Sequence, residues 1–250
     1  MKQAIGNTLF LLFQGVFTPL YALIVCASFW LPARTRNLIC AAYVRVLLAA
    51  ARLLCGLHYE IRGREHIPPG AFVVLSKHSS TWETLMLAAM FAPASFVAKR
   101  ELLWLPFFGW GFALASPITI DRRAGALAME KMVIQGKARL REGFTIVVFP
   151  EGTRIAPGKR GKYKTGGVRL AQGCGVPVLP VAHNAGWCWP RHPWRKYAGT
   201  ITLSILPPIE TTGRDTVELN AQVEAVIEAE VERLGSGRGR LPSPSSQPQT

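Results

Sequence analysis

Acidic side chains are scarce in this sequence: 15 Asp and Glu stand against 29 Lys and Arg over 250 residues, a formal net charge of +14. The deficit is sharper in residues 1–200, which hold 25 basic and 8 acidic residues. A field of that sign favours phosphate-bearing partners, either nucleic acid or an anionic membrane and its lipids. The basic residues are not interleaved with aromatics in a single-strand-binding pattern, and no recognisable binding module is present, which argues against nucleic acid. A mean hydropathy of +0.20 favours the membrane. Cysteine pairs are missing too. The five cysteines, at 26, 40, 55, 174 and 188, contain no C-x-x-C and are odd in number, which argues against a disulfide framework and against a metal site. No G-x-S-x-G elbow occurs, which weakens a serine-hydrolase reading, and no internal repeat is visible.

Charge is absent altogether from residue 3 to 33. As a helix that run is long enough to cross a hydrocarbon core of about 30 Å, although Gly6, Gly15 and Pro19 interrupt it. A signal peptide is the competing reading, with Lys2 ahead of the apolar stretch and Val25-Cys26-Ala27 as a cleavage site. Against it, the run continues through Phe29, Trp30 and Leu31, and a terminal Trp suits an interfacial anchor. A second apolar stretch over 38–57 carries Arg45 and Arg52 seven residues apart, on one helical face. Together the two stretches predict a helical hairpin that dips into one leaflet or spans it, with Arg34 and Arg36 on the cytoplasmic side.

Past Gly63 the texture becomes short apolar runs alternating with helical stretches, the pattern of an α/β fold. The expectation is a mixed, mostly parallel sheet flanked by helices, behind an N-terminal apolar hairpin for membrane attachment. Strands are expected at 71–75, 95–98, 117–120, 144–149 and 176–181, with a late edge strand at 198–205. Helices are expected at 82–90 and 124–141, and an amphipathic one over 217–234 with Val223, Val226, Ile227, Val231 and Leu234 on its apolar face. The expected domain organisation is a membrane-associated segment over 1–58, one α/β domain over 59–234, and a Gly-, Ser-, Pro- and Gln-rich tail from 235 that cannot bury enough surface to order itself.

His78 follows the first expected strand in Ser76-Lys77-His78-Ser79-Ser80-Thr81-Trp82-Glu83, where Thr81 or Ser80 can cap the next helix. An imidazole acts as a general base near neutrality, and a carboxylate on its far nitrogen fixes the tautomer and steadies the imidazolium. His78 and Glu83 have that spacing, although a loop histidine with a helix N-terminal glutamate has the same appearance. Phe149-Pro150-Glu151-Gly152-Thr153-Arg154 closes the strongest strand, the place where open α/β sheets present ligand groups, and Arg154 can take a phosphate bidentately. Lys159, Arg160, Lys162 and Lys164 then precede Gly166-Gly167, as a solvated basic loop or as part of an anion surface. Two aromatic clusters, 104–110 and 187–189 with Trp194, read either as ordinary core or, with Arg and Lys nearby, as contacts to the headgroup zone.

In order, these blocks resemble the phospholipid and glycerophosphate acyltransferase family. His78 to Glu83 is similar to its H-x-x-x-x-D motif, Ile120-Asp121-Arg122 to its second block, the FPEGTR string at 149–154 to its third, and Val176-Pro177-Val178-Leu179-Pro180-Val181 to its fourth. The resemblance covers roughly residues 60–185, and Lys99-Arg100-Glu101-Leu102 and Tyr163-Lys164-Thr165-Gly166 also look like family segments. Glu83 stands where the family has aspartate, one methylene longer and of the same charge. The resemblance implies that His78 takes the proton of a lysophospholipid hydroxyl while Glu83 orients the ring, and that the alkoxide attacks an acyl thioester with no acyl-enzyme. Backbone amides at the start of the next helix are the candidates to hold the oxyanion. A thiolate departs without a dedicated acid because thiols titrate at about 8.5, so no cofactor is expected beyond the donor, coenzyme A or acyl carrier protein. Arg122 and Arg154, backed by Lys99 and Lys164, are the residues implied for the acceptor phosphate, with Glu151, Gly152 and Thr153 shaping the pocket. The expected acceptor is 1-acylglycerol-3-phosphate at its sn-2 hydroxyl, on the cytoplasmic face of a bacterial inner membrane. Another lyso-lipid acceptor and an inactive lipid-binding adaptor are the alternatives.

Overall fold

The computed structural model describes residues 2–104, 108–121 and 125–236. Seven strands form one sheet in the order β1-β7-β6-β2-β5-β3-β4. They are β1 (Leu57–Arg62), β2 (Val73–Ser76), β3 (Ala94–Lys99), β4 (Ile118–Ile120), β5 (Thr145–Val148), β6 (Val178–His183) and β7 (Gly199–Ile205). All neighbouring pairs are parallel except β6 with β7. β2 and β6 are buried at every position, as expected of parallel strands covered on both faces, and therefore read as continuous apolar runs.

Side chains of successive strand residues go to opposite layers. Val73 and Leu75 join Met132, Leu170, Val223 and Ile227, from α5 (Gly125–Arg141), α6 (Gly166–Cys174) and α8 (Thr216–Ser236). Val74 joins Phe10, Val44, Leu48, Trp82 and Leu87, from α1 (Lys2–Ala27), α2 (Ala33–Cys55) and α3 (Trp82–Met90). The sheet is thus the middle of three layers. The two short helices are α4 (Phe108–Leu114) and α7 (Ala185–Cys188).

One strand assignment needs correcting. The run at 198–205 is not an edge strand: β7 lies between β6 and β1, and β1 takes the edge. β1 escapes sequence reading because Leu57-His58-Tyr59-Glu60-Ile61-Arg62 exposes most of its side chains, as an edge strand does, and continues directly from the apolar helix before it. The expected tail over 235–250 lies, from 237 on, outside the described residues.

The hairpin of α1 and α2 is fastened to the domain at both ends. At one end Asn7 Nδ2 donates to Lys196 O at 3.1 Å and the Ala198 amide to Gln3 Oε1 at 3.3 Å, while Gln3 Nε2 ties α1 to the end of α2 through Cys55 O at 3.2 Å. Gly6 lets α1 come this close, since a Cβ there would lie 2.0 Å from Leu54 O. At the other end Asn37 Nδ2 donates to Ala94 O at 2.8 Å and Ala115 O at 3.0 Å, and Arg36 donates to Phe29 O, Leu31 O and Leu114 O. Arg36 is therefore committed to the carbonyls of the hairpin turn and α4. Both helices are long and apolar enough to cross a membrane. Ile5, Leu9, Leu12, Val16, Leu20 and Leu23 are about half exposed or more, at spacings of three and four, and form one apolar stripe along the outer face of α1. The aromatic clusters divide: Trp104, Trp110 and Trp194 are exposed, whereas Trp189 and Cys188 are buried.

Candidate active site

β2 stands at the centre of the sheet with β5 and β6 as its parallel neighbours. The segments leaving the C-terminal ends of these three strands therefore converge, at the place where open α/β sheets bind ligands. β2 delivers Lys77 and His78, β5 delivers Phe149 to Arg154, and β6 ends on His183.

The turn after β2 runs directly into α3, and the Ser80 hydroxyl, rather than Thr81, accepts the Trp82 amide at 3.0 Å. Glu83 then falls in the first turn of α3, fully buried. Its Oε1 accepts three hydrogen bonds of 2.9 Å each, from His78 Nδ1 and from the amides of Ser79 and Ser80. A carboxylate only accepts, so Nδ1 carries a hydrogen, and in the neutral ring that leaves Nε2 as the acceptor. Burial pushes the Glu83 carboxyl up, and the hydrogen bonds from His78 and the Ser80 amide pull it back down by favouring the charged form. The imidazole stacks on Phe149, with ring centroids 4.0 Å apart and planes 15° from parallel.

The backbone around His78 is held from three sides. Its amide donates to Glu151 Oε2 at 2.7 Å, its carbonyl accepts the Ile155 amide at 2.8 Å, and the Lys77 amide donates to Val181 O at 3.1 Å. Glu151, expected from the FPEGTR string to shape the substrate pocket, has its carboxylate turned to the backbone of His78 and to Lys77. It is 4% exposed and its Oε1 pairs with Lys77 Nζ at 2.7 Å. The same ammonium reaches Glu228 Oε1 on α8 at 2.7 Å, and Tyr163 donates its hydroxyl to that oxygen at 2.9 Å. Two carboxylates share one buried cation, and burial raises the Glu151 carboxyl above its ordinary value despite the Lys77 bond.

A second imidazole lies behind the first. His183 is 1% exposed; its Nε2 is 2.8 Å from Lys77 O and 3.8 Å from Glu83 Oε2, and its Nδ1 accepts the Ala185 amide at 3.2 Å. Because Nδ1 accepts and a carbonyl cannot donate, the proton sits on Nε2 and the ring is neutral. Burial likewise lowers the His183 pKa.

His78 lines a cavity of about 1120 Å³ that extends between the hairpin and the sheet. Tyr21, Tyr43, Leu47 and Phe96 belong to its apolar part, while Gly152, Thr153, Arg154, Lys99 and Lys164 line it together with Arg191. Among the described residues no carboxylate lies within ion-pair distance of Arg154, Lys99 or Lys164. Arg122 lies outside the described residues.

The Acyltransferase family model matches residues 58–184. The chain belongs to the acyltransferase family. A 1-acyl-sn-glycerol-3-phosphate acyltransferase of Pseudomonas aeruginosa is 41% identical over 247 residues, covering 92% of this chain and 96% of the relative. The mouse 1-acyl-sn-glycerol-3-phosphate acyltransferase alpha is 32% identical over 215 residues, covering 84% and 74%. The crystal structure of the 1-acyl-sn-glycerophosphate (LPA) acyltransferase PlsC of Thermotoga maritima superposes with a TM-score of 0.77 at 25% identity, over 95% of this chain and 98% of that one.

In this acyltransferase the amides of Ser79, Ser80 and Trp82 are all bonded within the turn. The start of α3 therefore does not offer them to an oxyanion, because they already hold Glu83 and the helix cap. Sequence reasoning also passed over Lys77, His183 and Glu228. A basic residue directly before the histidine motif was the available signal for Lys77. His183 had a weaker one, a histidine closing the all-buried β6 run two residues after the Val176–Val181 block.

Proposed function

We propose that the enzyme moves a fatty acyl group from an acyl thioester to the sn-2 hydroxyl of 1-acylglycerol-3-phosphate, giving phosphatidic acid. The observation that carries this reading is one opening shared by three parts: the His78–Glu83 dyad, a mostly apolar cavity of about 1120 Å³, and a group of cations without carboxylate partners among the described residues. His78 Nε2 takes the acceptor's hydroxyl proton as that oxygen attacks the thioester carbonyl. Glu83 holds the ring in the Nε2-accepting tautomer and stabilises the imidazolium. Collapse of the tetrahedral intermediate expels the thiolate of coenzyme A or of acyl carrier protein. Arg154, with Lys99 and Lys164, holds the acceptor phosphate, and Arg122 belongs to the same proposed set.

The apolar stripe on α1 supports seating the hairpin in one leaflet, because both ends of the hairpin are tied to the catalytic domain and neither helix is free to leave it. The exposed Trp104 and Trp110 suit the headgroup zone. In this reading the enzyme works on the cytoplasmic face of the bacterial inner membrane, where an acyl-thioester donor meets the lipid acceptor.

The test is acyl transfer by purified enzyme from labelled acyl-coenzyme A and acyl carrier protein to lysophosphatidate, beside phosphate-free and larger-headgroup lyso-lipids. Preferential formation of phosphatidate is expected, and preferential use of another acceptor would overturn the assignment. Arg154→Ala is expected to cost roughly ten- to a hundredfold in kcat/KM with lysophosphatidate, the size of one lost charge-assisted contact, and much less with a phosphate-free acceptor. Equal losses on both acceptors would place Arg154 outside the phosphate site.

A further inference from the structure

Glu83 Oε2 has no hydrogen-bond partner among the described residues, although its carboxyl group is fully buried. Leaving one oxygen of a buried carboxylate unmatched is costly. The polar atom that faces it is His183 Nε2, at 3.8 Å, whose hydrogen is given to Lys77 O at 2.8 Å. The ammonium of Lys77 is turned away, towards Glu151 and Glu228. A single N–H donor therefore lies between the carbonyl immediately preceding the catalytic histidine and the rear oxygen of the carboxylate that orients it.

We infer that His183 is a positioning residue for the dyad: it pins the Lys77 carbonyl and backs Glu83 Oε2, so that the carboxylate presents Oε1 to His78 Nδ1. The role rests on His78 being the base of the acyl transfer proposed above. His183 suits it for two reasons. Its Nδ1 is closed by the Ala185 amide, so the ring is held in one orientation with its only N–H directed forward. Being neutral, it adds no charge next to the dyad and does not compete for the proton His78 accepts. When His78 becomes an imidazolium the carboxylate is drawn towards it, and the ring behind Oε2 together with the Ser79 and Ser80 amides on Oε1 limits the ways Glu83 can rotate. The same N–H restrains the peptide that carries His78, complementing the Glu151 and Ile155 bonds on its other groups.

Two near-isosteric substitutions separate this role from simple packing, since His183→Gln retains an N–H donor and His183→Met does not. In full-length enzyme, His183→Met is expected to lower kcat roughly 10- to 100-fold through misplacement of the base, with KM for both substrates unchanged, and His183→Gln to stay within about threefold of wild type. In a Glu83→Gln background, His183→Met should cost clearly less than in wild type, because the part that acts through Glu83 is gone and only the restraint on the Lys77 carbonyl remains. Equal rates for the Met and Gln variants, or an undiminished loss in the Glu83→Gln background, would overturn the inference. If His183→Met does not fold, His183→Gln decides alone: a near-wild-type rate supports the donor role, and a loss of about tenfold or more refutes it. An inactive wild-type enzyme would instead mark failure of the proposed function. The cycle is then read in the downfield proton resonance of His78 Nδ1–H, which should shift in His183→Met and return in His183→Gln, and an unchanged resonance would refute the role.

Discussion

His78→Ala is expected to reduce turnover by about 100- to 10,000-fold, the usual contribution of a general base, while the protein stays folded. The second half of that expectation follows from what the ring does structurally. Its side chain is 16% exposed, its Nδ1 bonds only to Glu83, and its packing is a stack on Phe149. Removing it sacrifices about 0.5–1.5 kcal/mol of ring contact. Glu83 Oε1 is not orphaned, because the Ser79 and Ser80 amides still bond it. The backbone clamps on His78, from Glu151 and Ile155, do not involve the side chain and survive the change. Turnover and thermal unfolding in the same detergent, measured side by side, check both halves. Activity within a few fold of wild type would remove His78 from the chemistry, and a collapse of the melting transition would make it a structural residue.

Lys77→Met is expected to have the opposite signature, a loss of stability of about 3–5 kcal/mol, as found when one partner of a buried ion pair is removed. The side chains of Lys77, Glu151 and Glu228 are 3%, 0% and 4% exposed. Without the ammonium two carboxylates face each other in the core. They lie behind the amide of His78 and join β2, the segment after β5, and α8, so the damage spreads across three elements. The pH dependence has a definite sign. The Glu151 carboxyl is raised in the folded state, chiefly by burial, so between its ordinary and its raised value the folded chain binds more protons than the unfolded one. Stability from this group therefore falls as pH rises through that window and is recovered below the ordinary carboxylate range. In Lys77→Met the window widens upwards, so the deficit should shrink on acidification, and Glu151→Gln with Glu228→Gln should restore much of it at neutral pH. Urea unfolding midpoints across pH for the single and combined variants read this directly. A Lys77→Met protein as stable as wild type at neutral pH would mean that the three groups are not the buried cluster described.

What the sequence determined by itself was whatever is local or periodic. Trp82–Met90 is bounded as expected because its start is marked by a serine cap and its length by its apolar spacing. The His78–Glu83 pairing was legible because the partners lie only five positions apart across one strand-to-helix turn. The α/β alternation, the apolar hairpin and the family blocks are likewise written in short stretches. Tertiary structure alone decided which stretches meet. A hydrophobic period says that a strand faces a core, not which strand lies beside it, so β1 was missed and β7 was assigned to the edge. Lys77 and Glu228 are 151 residues apart, and Lys77 and His183 are 106 apart. Their contacts exist because β2 lies beside β6, with α8 packed over β6. Burial of a charge is equally invisible in sequence. Glu151 reads as part of a substrate pocket, and nothing local in the sequence marks Lys196 as buried. Yet Glu151 clamps the His78 amide, and Lys196 is enclosed by Phe10 and Trp189 at 4.7 and 4.9 Å from their ring centres. The solvent exclusion that gives these groups their roles is produced by chain segments distant in sequence, and it arises only once they are assembled.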